Sequence, residues 1–179
     1  MRFERTGFAG LIAVFPERLA DERGYFVRTF CEEEFAREGL ETRFPQASFS
    51  FNVKAGTVRG MHYQRAPHAE TKLVRCTRGA IFDVVVDLRP DEPTFRQWTS
   101  FILSAENGIA IYIPGGFAHG FQTIAEQTEV AYAITPSFMP GAGTGLRWDD
   151  PAIGIHWPQS MSSISDRDGA WPFLMPGNP

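Results

Sequence analysis

Cysteine is scarce in this chain of 179 residues. Cys31 and Cys76 are too few for a disulfide scaffold, and their spacing matches no CxxC pair, so two reduced thiols are expected. Long apolar runs are missing too. The N-terminal run ending at Phe15 is cut by Pro16 and then by charges. Nothing approaches the ~18 apolar residues of a membrane span, or the longer apolar core of a signal peptide. These absences make the cytoplasm the expected location. A basic excess is absent as well, with 17 Lys and Arg against 21 Asp and Glu and a net charge of −4. No global field therefore invites nucleic acid or an anionic membrane, and neither is an expected partner. Local arginines can still hold a small anion. Repeats, low-complexity tracts and long linkers are all lacking, so one domain over 1–179 is the expectation.

Helical patterning is sparse. Only "CEEEFAREGL" (31–40) combines good helix formers with a glycine stop, Gly39. What is abundant instead is Phe (16), Gly (17) and Pro (13), the mixture of short strands and tight turns. "ASFSFNV" alternates, and "KLVRCT", "AIFDVVVDLR", "QWTSFILS", "GIAIYIP" and "TEVAYAIT" are β-rich. Turn signals separate them at "KAGT", "TRGA", "RPDEP", "AENG" and "GGFAHG". This spacing predicts an all-β sandwich or barrel, of which the jelly roll is one form. The N-terminal segment with its helix, and a loop-rich C-terminal wrap from "PSFMPGAGTG" onward, read as additions to one β core. Trp148, Trp157 and Trp171 are expected to anchor the wrap by burial.

The densest chemistry lies in "RGMHYQRAPHAETKLV" (59–74). It invites a metal-site reading, and a second pattern sharpens the question. "GIAIYIPGGFAH" reads G-x5-P-x-G-x2-H from Gly108 to His119, and Gly56-x5-His62 lies upstream. These resemble the two motifs of the cupin superfamily, small double-stranded β-helix barrels. In metal cupins the matching places carry histidines and a glutamate; here they hold His62, Gln64, Lys72 and His119. A neutral amide and a protonated lysine leave two ligands where three or four are needed, so no metal is expected. His68 and Glu70, beside Pro67, read as a solvated turn. A barrel mouth holding Arg59, His62, Lys72 and His119 suits an anionic ligand, or one that becomes anionic in reaction. Tyr132, on the "EVAYAIT" strand, offers a hydroxyl to complete an acid–base pair.

Several blocks in order, "DERGYFVRTF", "RGMHYQ", "KLVRCTRGAIFDVVVDLRPDEPTF", "IPGGFAHGF", "WDDPAIGIHWP" and "SDRD", make the chain resemble the dTDP-4-dehydrorhamnose 3,5-epimerase family over nearly its whole length. The resemblance implies an all-β cupin jelly roll that works as a homodimer without metal or organic cofactor. Its substrate would be a nucleotide-diphosphate-linked 4-keto-6-deoxyhexose, epimerised at C3, C5 or both. By the same resemblance His62 would be the base, Asp168 its hydrogen-bond partner, Tyr132 the proton donor and Lys72 the enolate partner. Arg23, Arg59 and His119 would bind sugar and diphosphate, with Gln46 and Ser48 on a nucleotide-contacting strand. Arg167 stands where the family has a lysine and would still meet a phosphate. Asp83 matches a family aspartate, with a supporting role and a structural buried carboxylate both open.

Three departures from the pattern stand out. Arg28 replaces an acid, Ser137 and Phe138 replace a tyrosine pair, and Gly143 stands where a glutamate is usual. Phe138 keeps a ring for stacking, and Arg28 offers a donor in place of an acceptor. All three belong to nucleotide-binding positions, which leaves the base open between dTDP, CDP and GDP. Two rival readings stay beside the epimerase: a 3,4-ketoisomerase on the same barrel, and a non-catalytic sugar-binding cupin.

Overall fold

The computed structural model describes residues 1–137 and 139–174. Its order is β1 (Arg2–Arg5), β2 (Ile12–Phe15), β3 (Arg18–Asp21), β4 (Gly24–Val27), α1 (Glu32–Arg37), β5 (Gln46–Asn52), β6 (Val58–Gln64) and β7 (Thr71–Arg78). There follow β8 (Ala80–Asp87), β9 (Trp98–Ser104), β10 (Ala110–Ile113), β11 (Phe117–Thr123), β12 (Thr128–Thr135), β13 (Gly143–Gly145) and α2 (Asp166–Gly169). Two antiparallel sheets face each other. One runs β1-β2-β10-β7-β12-β5 and the other β13-β6-β11-β8-β9, while β3 and β4 form a separate hairpin. The fold is all-β, as the strand pattern predicts, and it is the jelly roll that the resemblance implies. No helix among the described residues is long and apolar enough to cross a membrane.

Period-2 alternation decides what each strand turns inward. Val74 and Cys76 of β7, Ile111 of β10 and Val130 of β12 meet Ile81 and Val85 of β8, Leu103 of β9 and Phe121 of β11 in the sandwich core. Each such side chain contributes about 1.5–3 kcal/mol by leaving water. The run "AIFDVVVD" reads as continuously apolar because both its faces are covered. Val84 and Val86 turn outward against Ile153, Ile155 and Trp157 of the C-terminal wrap. The Trp157 indole N–H is bound to the Trp148 carbonyl at 2.9 Å, so these two tryptophans do anchor that wrap. On the other outer face, Phe35 of α1 is fully buried against Ile12, Leu73 and Tyr112.

Three expectations need correction. The helix is shorter than 31–40, because Cys31 is already extended and Glu38 closes the last turn before Gly39 enters the left-handed region at φ +71°. "GGFAHG" is a turn only at its glycines; from Phe117 it is β11, a central strand with every residue buried. The N-terminal segment is not an addition, since β1 pairs with β2 and β2 with β10 inside the larger sheet. The wrap likewise contributes β13, which pairs with β6.

Beside the site, β6 and β11 approach unusually closely. Gly60 has φ +129°, and a Cβ there would lie 2.6 Å from the Gly120 Cα and 3.0 Å from the His119 carbonyl oxygen. Those are backbone atoms, which cannot rotate away as a side chain would. Gly60→Ala should therefore cost about 2 kcal/mol or more, from strain and overpacking together. Urea unfolding measures this, and an unchanged midpoint would contradict the close approach.

Candidate active site

At one end of the sandwich the inward-facing residues change from apolar to polar, and a cavity of about 310 Å³ opens there. β6 supplies Arg59 and His62, and β11 supplies His119; the facing sheet supplies Lys72 from β7, Tyr132 from β12, and Ser48 and Ser50 from β5. Antiparallel pairing sets His62 directly opposite His119. Lys72 shares its face of β7 with the core residues Val74 and Cys76, so the same alternation that builds the core delivers the lysine to the cavity.

His62 is held from behind. Ser165 caps α2, its hydroxyl oxygen accepting from the Asp168 N–H at 3.1 Å, and this orients the short helix. One Asp168 carboxylate oxygen lies 2.7 Å from the His62 Nε2, and the other accepts from the Gly60 N–H at 3.2 Å. Burial pushes the Asp168 carboxyl up, but the His62 hydrogen bond and charge with the Gly60 N–H outweigh it, so it lies below its ordinary 3.8. An ionised carboxylate only accepts, so the Nε2 carries the proton between them, and in the neutral ring the lone pair is on Nδ1.

Tyr132 is bound at its hydroxyl to the Ser50 hydroxyl, 3.1 Å away. Burial above all, with the Asp83 charge adding, raises the phenol well above its ordinary value, so it stays protonated. The His119 Nε2 meets the Asp83 carboxylate at 2.7 Å, both side chains being buried, and the His119 ring stands edge-on to Tyr132 with centroids 6.4 Å apart. Arg59 donates from Nε to the Asn52 amide oxygen at 2.6 Å and from Nη2 to the Phe51 carbonyl at 3.3 Å. The Lys72 ammonium pairs with Glu70 at 3.1 Å and reaches the His62 carbonyl at 3.4 Å. With a cation and an amide at two of the four places, the donor set remains unsuited to a metal.

Of the residues expected in the site, Ser48, Arg59, His62, Lys72, His119 and Tyr132 line the cavity, and Asp168 stands directly behind His62. Others lie apart from it. Gln46 begins β5 and donates to the Pro136 carbonyl at 2.6 Å. Arg23 sits at the tip of the β3–β4 hairpin, largely in solvent, with its guanidinium on Asp21. Arg28 is 3.7 Å from Glu34 and borders a separate hollow with Leu19 and Phe26. Neither arginine lines the cavity of its own chain: Arg23 is at the tip of a hairpin whose strands pair with neither large sheet, and Arg28 follows that hairpin. Arg167 lies over the Trp171 ring at 5.1 Å, its Nη2 3.4 Å from where a Cβ on Gly143 would stand, so the small residue leaves room for the large one. Phe138 lies outside the described residues.

Sequence reasoning missed four residues. Ser50 and Asn52 share with Ser48 the inward face of β5, which the alternation of "QASFSFN" could have revealed. Glu70 is no solvated turn residue: its side chain is 15 % exposed and lines the cavity. Gln64, weighed only as a poor metal ligand, donates its amide N–H to Glu70.

A cavity of this kind, in a jelly roll with polar and titratable groups converging from both sheets, has the character of a small-molecule site. The family described as dTDP-4-dehydrorhamnose 3,5-epimerase matches residues 5–175, and the chain belongs to it. An epimerase of that name from Methanothermobacter thermautotrophicus is 46 % identical over 95 % of this chain and 92 % of its own. One from Sinorhizobium fredii is 42 % identical over 97 % and 90 %. The crystal structure of the Bacillus anthracis enzyme with TDP and PPi bound superposes with a TM-score of 0.94 at 38 % identity, covering 97 % of this chain and 99 % of that one.

The depressed Asp168 carboxyl makes a prediction about acid. A lowered folded value means that its stabilisation is present above 3.8 and is lost as pH falls through the folded value. Asp168→Asn should lower the urea midpoint at about pH 7, and the gap to wild type should close by about pH 2. A gap that persists unchanged in acid would mean that the carboxylate charge is not what stabilises.

Proposed function

We propose that this chain epimerises a dTDP-linked 4-keto-6-deoxyhexose at C3 and C5. One observation carries the reading: an imidazole and a phenol reach the same cavity from opposite sheets. Inversion needs that arrangement, with a base on one face of the ring carbon and an acid on the other. The hydrogens at C3 and C5 flank the C4 ketone, so the carbanion left by removing either one delocalises onto the ketone oxygen as an enolate.

In this reading His62 takes the proton at Nδ1, and Asp168 stabilises the resulting imidazolium through Nε2 without itself accepting the proton. The Lys72 ammonium meets the charge that develops on the C4 oxygen. Tyr132, kept protonated by burial, returns a proton from the far face, and Ser50 orients its hydroxyl. Arg59 and His119 address the sugar and diphosphate, as arginine suits paired phosphate contacts. His119 is in turn held by Asp83 at 2.7 Å, which supports a backing role for that carboxylate. The relatives' names and the TDP bound in the Bacillus anthracis structure favour thymine as the base.

The homodimer is proposed on the same resemblance, and exposed apolar side chains support it. Phe49 (68 %) and Val53 (66 %) lie along the free edge of the larger sheet, and Leu19 and Phe26 on the hairpin are equally open. Light scattering should report twice the mass of the chain; a monomer at working concentration would remove this part.

Incubation with dTDP-4-keto-6-deoxyglucose in D2O should place deuterium at both C3 and C5. Deuterium at one carbon alone would assign a single-centre epimerase, and none would sink the enzymatic reading. His62→Ala should lower the exchange rate by about 10³-fold while TDP binding changes little. Tyr132→Phe should retain wash-out of the substrate hydrogen better than it retains inversion. Near-full activity in His62→Ala would show that the base is a different group.

A further inference from the structure

The residue that the sequence hid as a loop carries the next step. Lys72 has four rotatable bonds, and an enolate partner is useful only when its charge is already in place. The ammonium has three hydrogens, and among the described residues two protein oxygens take them: Glu70 at 3.1 Å and the His62 carbonyl at 3.4 Å. The third is left for a guest in the cavity. The Glu70 carboxylate is itself pinned, because its other oxygen accepts from the Gln64 amide, and Gln64 is only 8 % exposed. Gln64 lies two residues beyond His62 on β6, so the two side chains share one face of that strand. Gln64, Glu70, Lys72 and the His62 carbonyl therefore form a ring that spans from β6 in one sheet to β7 in the other.

We infer that Glu70 is a positioning residue for the reaction: it holds the Lys72 ammonium at a fixed distance from the His62 base, ready for the enolate oxygen. The inference rests on the epimerase reading and goes beyond it. Glu70 acts through Lys72 and not on the sugar itself. A lysine freed from Glu70 would spread over several rotamers, and the transition state would lose more than the bound substrate does.

Deuterium exchange in D2O, run on the folded full chain, tests this through a cycle of variants. Glu70→Ala should lower kcat for exchange by at least about 30-fold, with KM and TDP affinity within about 3-fold. Glu70→Gln keeps an oxygen for the ammonium and should restore kcat to within about 5-fold of wild type. In a Lys72→Ala background, Glu70→Ala should add less than about 3-fold, because the residue it positions is gone. Should the alanine variant fold poorly, Glu70→Leu fills the same space and serves in the same cycle. A wild-type kcat in Glu70→Ala, a loss confined to KM, or a full additional loss in the Lys72→Ala background would each overturn the inference. Wild-type protein that exchanges no deuterium would remove the epimerase reading as well, so the two failures are told apart by the wild-type control.

Discussion

The backbone contact between β6 and β11 is the constraint from which the site follows. Two glycines, Gly60 and Gly120, face each other where any side chain would strike main-chain atoms. That closeness lets His62 and His119 stand opposite each other, one from each strand. It also leaves the Gly60 N–H turned to the Asp168 carboxylate, away from the sheet ladder. On its other side β6 is paired by β13, so the strand that bears the imidazole is gripped along both edges. A catalytic side chain gains its precision from such a rigid support.

A polar pocket inside an apolar sandwich is costly unless each group has a partner, and here the partners come in matched sets. Asp83 serves His119, Asn52 serves Arg59, Ser50 serves Tyr132, and Asp168 serves His62. Each supporting group is at least as buried as the one it serves, or stands beside it on an inward face. The charges are also nearly balanced before any ligand arrives, with carboxylates of Glu70, Asp83 and Asp168 among the cations. An anionic guest would therefore meet oriented donors more than a bulk positive field, and orientation is the quantity that an isolated residue census does not display.

Much of this was legible from residue order. The strands from "ASFSFNV" to "TEVAYAIT" follow period-2 alternation, and motif spacing alone brings His62, Lys72 and His119 to one mouth. What escaped was set by three-dimensional pairing. "GGFAHG" looks like a turn because two glycines open it, yet its second half lies at the centre of a sheet. Glu70 follows a proline and an exposed loop, so nothing local distinguishes it from a solvated charge; only the convergence of β6 and β7 makes it a partner for Lys72. Arg23 and Arg28 are arginines in family-like blocks, but one tips and the other follows a hairpin outside both sheets, and residue type alone could not say where they lie.

The position of Asp168 along the chain has a consequence for assembly. It lies 106 residues beyond His62, on a helix that follows every strand of the sandwich. Pairing of the strands that carry His62, Lys72 and Tyr132 does not by itself give the imidazole its carboxylate, which comes only with that helix. Contacts so distant in sequence are among the slowest to close. The direction of the imidazole therefore hangs on a contact of long sequence separation, between the strand β6 and the helix α2.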